Sequence, residues 1–450
     1  MKTSQTYLDI VYSQFKKSKI NILALCGTGL IWALAIFAPL IISSFPLIYI
    51  DRGEQGNGIS SPWLKSLFYT NGEEVLQFLN VTTAREIQGE KVQYTYKFFE
   101  IHPDLLFNML MLAVIPAIIV WIVFIRRKQI SAVRKWVRTL AVYFLIGIAL
   151  TFIGSIKPLK PMFNPRFDYT EYALENQDRD TALFTIVPFG PYQIDIEFEY
   201  QGPLSRKSDV EGFTPKRTND WKYHLLGTTG NGYDLFARLL YGTRISITVG
   251  IVAVLIYSSI GTVIGAIAGY FGGKPDLIIS RIIEIIMMIP SLFLIAILVG
   301  LTERSVYLVM LAIGIIGWTG VARLIRGEFL RQRSIDFVMA AQALGASKFR
   351  LIFRHILPNA VYPLLVAIPF GIAASATTEG ALSFIGYGVR PPTASWGIVL
   401  EEARRNLDTL GDKWWLIVFP SLAIFATVAL FNLVGNGVRD AVDPRLRGTQ

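Results

Sequence analysis

The residues that could do chemistry in this chain are few and far apart. Its three histidines, His102, His224 and His355, stand singly, with neither metal-ligand nor relay spacing. A phosphate cradle would need a glycine-rich turn ending in Lys-Ser or Lys-Thr; Gly272-Gly273-Lys274 runs instead into Pro275 and reads as a turn. Arg281 and Glu284 stand at i,i+3 and can pair along one helix side, which lowers the cost of holding charge at membrane depth. Glu379, in ATTEGALSFIGYG, is an acid deep in an apolar run, a candidate contact for a cationic group or a bond to neighbouring helices. The single cysteine, Cys26, lies in the first apolar run, where a buried, inert thiol is expected and no disulfide can form within the chain. Catalysis has no constellation, and no metal site is expected.

The surrounding elements explain this scarcity. Of 450 residues, 52% are hydrophobic and 17% charged, with mean hydropathy +0.46. That is too apolar for an ordinary soluble enzyme and fits a polytopic membrane protein. With roughly 20 apolar residues needed per crossing, about eight runs qualify. The net charge of +10 gathers in short basic segments beside those runs, which fits membrane topology better than nucleic-acid binding.

A basic stretch at Lys16, Lys17 and Lys19 precedes the first run, residues 22–45, read as a retained helix rather than a cleaved signal. Residues 47–103 are mixed and contain the strand-like VQYTYKFF at 92–99. Runs at 106–125 and 137–156 flank a segment carrying Arg126, Arg127, Lys128, Arg134 and Lys135 and no acid, the strongest positive-inside mark in the chain. Residues 157–240 are polar; QIDIEFEY at 193–200 alternates and is expected to be a strand, with Ile194, Ile196, Phe198 and Tyr200 on one face. The region reads as a small strand-bearing insertion or as a spacer. In 245–271, Gly261, Gly265 and Gly269 form a ridge for close helix packing. Residues 277–301 carry Pro290 as an expected kink, and further runs cover 306–325, 360–384 and 414–438.

Between two of these runs lies a soluble-looking stretch, residues 336–358, DFVMAAQALGASKFRLIFRHILP. Ser334 is expected to cap a short helix with a small face at Ala340, Ala341 and Ala343. Gly345 should end it, Ser347 cap a second helix, and Pro358 close that one. So much order, with Arg331, Arg333, Lys348, Arg350 and Arg354 around it, suggests a surface on which something rigid pushes.

This stretch resembles the cytoplasmic coupling loop of ATP-binding-cassette (ABC) importer permeases. Ala340, Ala341, Gly345, Leu357 and Pro358 fall on the family pattern, and His355 and Asn359 on its peptide-permease version; Met339 stands where an acid is usual. FAPLI (37–41), Gly227, Gly232, Asp234, Arg238, Tyr241, Gly242 and Arg244 in 224–246, LSFIGYG (382–388), PPTASWG (391–397) and RDAVDPRLRG (439–448) also match in order. Thr229 and Tyr233 depart from it, where an Asp and an Arg are usual. The resemblance covers 14–50 and 224–448 and is to the C-type permease subunit of oligopeptide and dipeptide importers; GEFLRQRSIDF and MAAQALG favour a Yej-like subgroup. The hairpin at 106–156 is not part of the usual pattern.

The resemblance implies an all-α polytopic membrane protein, a type I ABC importer permease core of about eight transmembrane helices with a small strand-containing extracytoplasmic insertion. The segments are a tail and first helix (1–46), an extracytoplasmic segment (47–103), the additional hairpin (104–156), the insertion (157–240), the permease core (241–440) with coupling loop 334–358, and a cytoplasmic tail (441–450). It implies a non-enzymatic subunit of the bacterial inner membrane, with both termini cytoplasmic. Implied partners are a B-type permease, one or two ATPase subunits that carry ATP and Mg, a substrate-binding protein and membrane lipid, with no nucleic acid. Ala340, Ala341, Gly345, His355, Leu357 and Pro358 would couple to the ATPase, Glu379 and Trp396 would face the translocation pathway, and Arg281–Glu284 would be a structural pair. A secondary transporter or channel, or a membrane-anchored sensor, are the rival classes; within the importer reading, nickel is the rival to peptide.

Overall fold

The computed structural model describes residues 7–51, 58–68, 76–87, 90–125, 132–156, 169–175, 181–209, 220, 222–302, 304–405 and 412–442. Arg126, Arg127 and Lys128 of the basic loop, and the tail motif beyond Val442, lie outside them.

The helices in chain order are α1 (Tyr7–Phe15), α2 (Lys19–Ile41), α3 (Pro62–Ser66), α4 (Pro103–Val120), α5 (Ala132–Ser155), α6 (Tyr169–Glu175), α7 (Leu235–Phe271), α8 (Gly273–Met288), α9 (Ser291–Gly300) and α10 (Val306–Gln332). They continue with α11 (Asp336–Ala343), α12 (Lys348–Arg350), α13 (Leu357–Ala360), α14 (Tyr362–Phe384), α15 (Trp396–Arg405) and α16 (Trp415–Val442). The strands are β1 (Ile48–Asp51), β2 (Gly58–Ser60), β3 (Leu76–Ile87), β4 (Glu90–Ile101) and β5 (Thr181–Leu183). Among the described residues, seven helices are long and apolar enough to cross a membrane, or eight if the bent pair α8–α9 counts as one crossing. The chain is thus a helical, multi-pass membrane protein with a small sheet.

Two compact units divide it. The first comprises residues 1–5, 30–245 and 390–421. Its sheet has the order β2-β1-β5, all antiparallel, so a strand from each of two extramembrane segments completes one sheet. The strand expected at 92–99 lies within β4, which pairs with β3 as a hairpin. The α4–α5 hairpin packs tightly, with Gly147 of α5 against Leu110 of α4. Ala35, Ile36, Leu67, Phe107, Leu110 and Met111 form its core, with Trp32 stacked on Phe107 at 6.1 Å.

The strand expected at 193–200 does not form. A short 3-10 turn spans Ile196–Phe198, and Tyr200 has φ +51, which ends any extended run. Only Phe198 is buried, against the His224 ring at 5.4 Å; Ile194 and Ile196 are exposed. Asp195 instead joins Lys207 in an ion pair at 2.8 Å.

The second unit comprises residues 6–29, 246–389 and 422–450. The glycine ridge works as its spacing predicts. A Cβ on Gly261 would lie 2.6 Å from Val321 Cβ, one on Gly265 2.5 Å from the Ala322 oxygen, and one on Gly269 2.5 Å from Phe329 Cβ. Backbone of α7 therefore rests directly on α10. Pro290 does more than kink its run: it disfavours helix at Ile289, which is extended (φ −92, ψ 126), and α8 and α9 bend by 80°. Cys26 is exposed on α2 beside Leu23 and Leu25, not buried; the apolar surface of this helix faces outward in the single chain.

Candidate functional site

The loop between α10 and α14 is built from both ends. At its start Arg333 Nη1 donates to the carbonyls of Gly269 (3.4 Å) and Tyr270 (3.3 Å), and Arg326 Nη2 to Asp276 Oδ2 (2.7 Å). The exit of α10 is thus tied to the α7–α8 turn. Ile335, not Ser334, occupies the N-cap of α11; the Ser334 hydroxyl turns back to the Arg331 carbonyl at 2.9 Å, as serine does when a preceding helix offers a free acceptor. Asp336 in the first turn suits the positive end of the helix.

Gly345 ends α11 as expected, with φ +82. Its N–H meets the Gln342 carbonyl and that of Ala346 the Ala341 carbonyl, both at 3.0 Å, the paired bonds of a Schellman motif. Ser347 then caps α12, accepting from the Arg350 N–H at 3.3 Å. Pro358 does not close the second helix. A π-helical turn over Leu351–Ile356 carries the chain into α13, and the Leu357 N–H reaches back five residues to the Ile352 carbonyl. Widening the turn accommodates a proline that has no N–H to donate and whose ring would strike an α-helical carbonyl.

The loop has two faces. Val338, Leu351, Ile356 and Ala360 are buried with Ile325 and Phe329 of α10, and Ala341, Ala346 and Leu357 pack at the edge. Outward stand Leu344 (88% exposed), Phe349 (71%) and Phe353 (52%), with Phe337 and Met339 also exposed. The Phe349 and Phe353 rings lie 4.4 Å apart. Of the residues that sequence singled out, Ala340, Gly345 and Pro358 are exposed, whereas Ala341, His355 and Leu357 are half-buried and tie the loop down. The apolar ridge was missed because motif matching favours the small and turn-forming positions. Composition alone did not separate these three from equally large neighbours that turn inward, such as Val338, Leu351 and Ile356.

Neither residue expected on the pathway lines open space in this chain. Glu379 is fully buried and accepts from Ser246 Oγ (3.0 Å) and Ser383 Oγ (2.9 Å), so it joins α7 to α14 within the second unit. Trp396 is 3% exposed, and its indole N–H donates to the Leu239 carbonyl at 2.9 Å. Both side chains are enclosed within the single chain. Arg281 Nη1 lies 2.6 Å from Glu284 Oε2, with both side chains exposed.

Buried polar contacts fix the first unit. Arg244, fully buried, donates to Asp104 (3.2 Å), Asn108 (3.0 Å) and the Ala35 carbonyl (2.8 Å). Tyr192 donates its hydroxyl to the other Asp104 oxygen at 2.7 Å, and burial together with that carboxylate pushes the phenol well above its usual range. Arg238 donates to the Pro392 carbonyl at 2.5 Å and so holds the PPTASWG loop. His224, with no partner evident from sequence, stacks on Phe189 at 4.0 Å and meets Asp234 at 2.8 Å, while Asp234 caps the start of α7 through the Ala237 N–H at 2.7 Å. No group of three or more metal-capable side chains gathers among the described residues.

The described residues thus hold helices long and apolar enough to cross a membrane, with an ordered loop between two of them that exposes Leu344, Phe349 and Phe353. Residues 261–448 match the family "Binding-protein-dependent transport system inner membrane component". The dipeptide transport system permease protein DppC of Bacillus subtilis is 35% identical over 59% of this chain and 79% of its own length. The oligopeptide transport system permease protein OppC of Haemophilus influenzae is 38% identical over 50% of this chain and 71% of its own. The inner membrane ABC transporter permease protein YejE of Escherichia coli is 38% identical over 51% and 65%. The chain belongs to the family of binding-protein-dependent transport system inner membrane components.

Proposed function

We propose that this chain is a membrane permease subunit of an ATP-driven importer for peptides or peptide-like compounds. It forms half of the translocation pathway and receives force from an ATPase through residues 334–358. One observation carries this reading: an exposed ridge of Leu344, Phe349 and Phe353 on a loop whose other face is rooted between spans. A chain with no partner would gain nothing by exposing such groups in water, and an apolar ridge on a rigid mount is what a partner groove grips. Met339, where the family pattern has an acid, is likewise apolar and exposed.

The mechanism is alternating access. A substrate-binding protein delivers cargo at the extracytoplasmic side, where the β1–β2–β5 sheet and the β3–β4 hairpin are assigned. ATP and Mg bind on the ATPase partners, whose closure displaces the loop; α10 and α7, in backbone contact, move as one body. A B-type permease completes the pathway. The loop and both termini are cytoplasmic, in keeping with the basic residues near α1 and α10. Peptide is favoured because the relatives are permeases of dipeptide and oligopeptide transport systems, against the rival nickel reading.

Co-purification tests the reading. The chain is extracted from membranes beside its Leu344→Asp and Phe349→Asp variants. Recovery of an ATPase subunit with wild type and its loss from both variants, at equal expression, supports the docking role. Recovery from none favours the sensor or channel classes.

A further inference from the structure

A cleft of about 420 Å³ opens on the second unit between α8 and α10, within the roughly 300–1,000 Å³ typical of small-ligand sites. Ser280, Ile283, Glu284 and Met287 line it from one face of α8, and Arg323 and Arg326 from α10. Ile283 is its buried floor, and Met287 and Met288 are exposed along its wall. Unbranched thioether side chains adapt to varied apolar shapes.

The charges around the cleft are satisfied, with one exception. Glu284 is held by Arg281 at 2.6 Å and Arg326 by Asp276 at 2.7 Å. Further along α10, Arg331 pairs with Glu328 at 2.6 Å. Arg323 lines the cleft, is exposed, and has no hydrogen bond or ion pair among the described residues. An uncompensated arginine in a membrane-crossing helix is costly, and its planar fork suits a carboxylate held by two parallel bonds.

We propose that this cleft is a station for the free carboxylate end of a peptide, with Arg323 taking the carboxylate and Met287 and Met288 lying against the adjoining side chain. The proposal rests on the peptide-import reading above. Glu284, at the same cleft, can accept from a peptide N–H, a donor that a lipid phosphate does not offer.

The experiment measures binding of trialanine and of trialanine amide to the complete permease–ATPase complex in phosphatidylcholine nanodiscs, without binding protein. Wild type is expected to hold the acid about tenfold more tightly than the amide, the size of one charge-assisted contact. Arg323→Gln should bind both alike, and Arg323→Lys should keep part of the preference. Equal binding of acid and amide by wild type overturns the proposal, as does a preference that survives in R323Q or no binding of either peptide. In nanodiscs with phosphatidylglycerol, a loss of R323Q thermal stability confined to that lipid, with peptide binding unchanged, assigns Arg323 to a headgroup and also overturns it. Uptake of trialanine into vesicles by the full system with ATP separates the two readings. No uptake by wild type removes peptide import itself, whereas uptake with an unaltered acid preference in R323Q removes only the cleft.

Discussion

Arg244 and Asp104 form a buried ion pair at 3.2 Å that joins α7 to α4 within the first unit. Asp104 stands at the start of the α4–α5 hairpin and Arg244 on α7. The hairpin is therefore keyed onto an arginine of α7, not merely attached beside it. Arg244→Ala should leave Asp104 as an uncompensated buried charge and cost about 3–5 kcal/mol. Asp104→Asn, which keeps an acceptor for Arg244, should cost less. Thermal unfolding of the purified chain in detergent orders the two, and equal midpoints would contradict the arrangement.

Gly345→Ala tests the cap without touching the ridge. Open space surrounds a Cβ there, so only the φ of +82 opposes the change. A left-handed alanine costs about 1–2 kcal/mol, enough to loosen the end of α11. ATPase stimulation by substrate should fall while the chain stays folded. A drop as large as that of Phe349→Asp would place the cap, not the ridge, at the centre of docking.

Glu379→Gln should keep transport and change stability by less than about 1.5 kcal/mol, since the amide oxygen still accepts from one of Ser246 and Ser383 while the amide N–H donates to the hydroxyl oxygen of the other. Glu379→Leu, which offers the two hydroxyls no acceptor, should be markedly less stable. If the Gln variant folds normally but no longer transports, the packing role is wrong and the acid acts on cargo.

Glu402, on α15, gives a pH signature. Burial holds its carboxyl above the usual range, against the opposing pull of Arg238 and of hydrogen bonds from Thr229, Gly230 and Asn231. A raised carboxyl pKa means that the folded chain holds its proton more tightly than the unfolded one. The contribution is fullest below the ordinary carboxylate pKa and is lost as pH rises through the raised value. Glu402→Gln should flatten that part of the profile of unfolding midpoint against pH; an unchanged slope would show that another group sets it.

The spans, the glycine ridge and the Gly345 and Ser347 caps were legible because each depends on local pattern: apolar runs, small residues at helical spacing, and turn chemistry. What sequence could not show depended on partners distant along the chain. Alternation at 193–200 promised a strand, but Asp195 found Lys207 and Phe198 found His224, and those contacts outweighed the period-two signal. Glu379 read either as a contact for cargo or as a bond to neighbouring helices, and the Ser246 donor, far earlier in the chain, was invisible to local pattern. Pro358 looked like a stop because proline usually is one; the wide turn that absorbs it requires knowing that Leu351 and Ile356 are both anchored.

That wide turn also acts as a phase setter. One surplus residue in a helical path offsets everything beyond it by about 100° of azimuth. The Leu351–Ile356 turn therefore fixes the compass bearing of Phe349 relative to the following span, Tyr362–Phe384. Related chains that gained or lost a residue there would aim the same side chain at a different quarter of the horizon, so partner choice can be altered without changing a single docking residue.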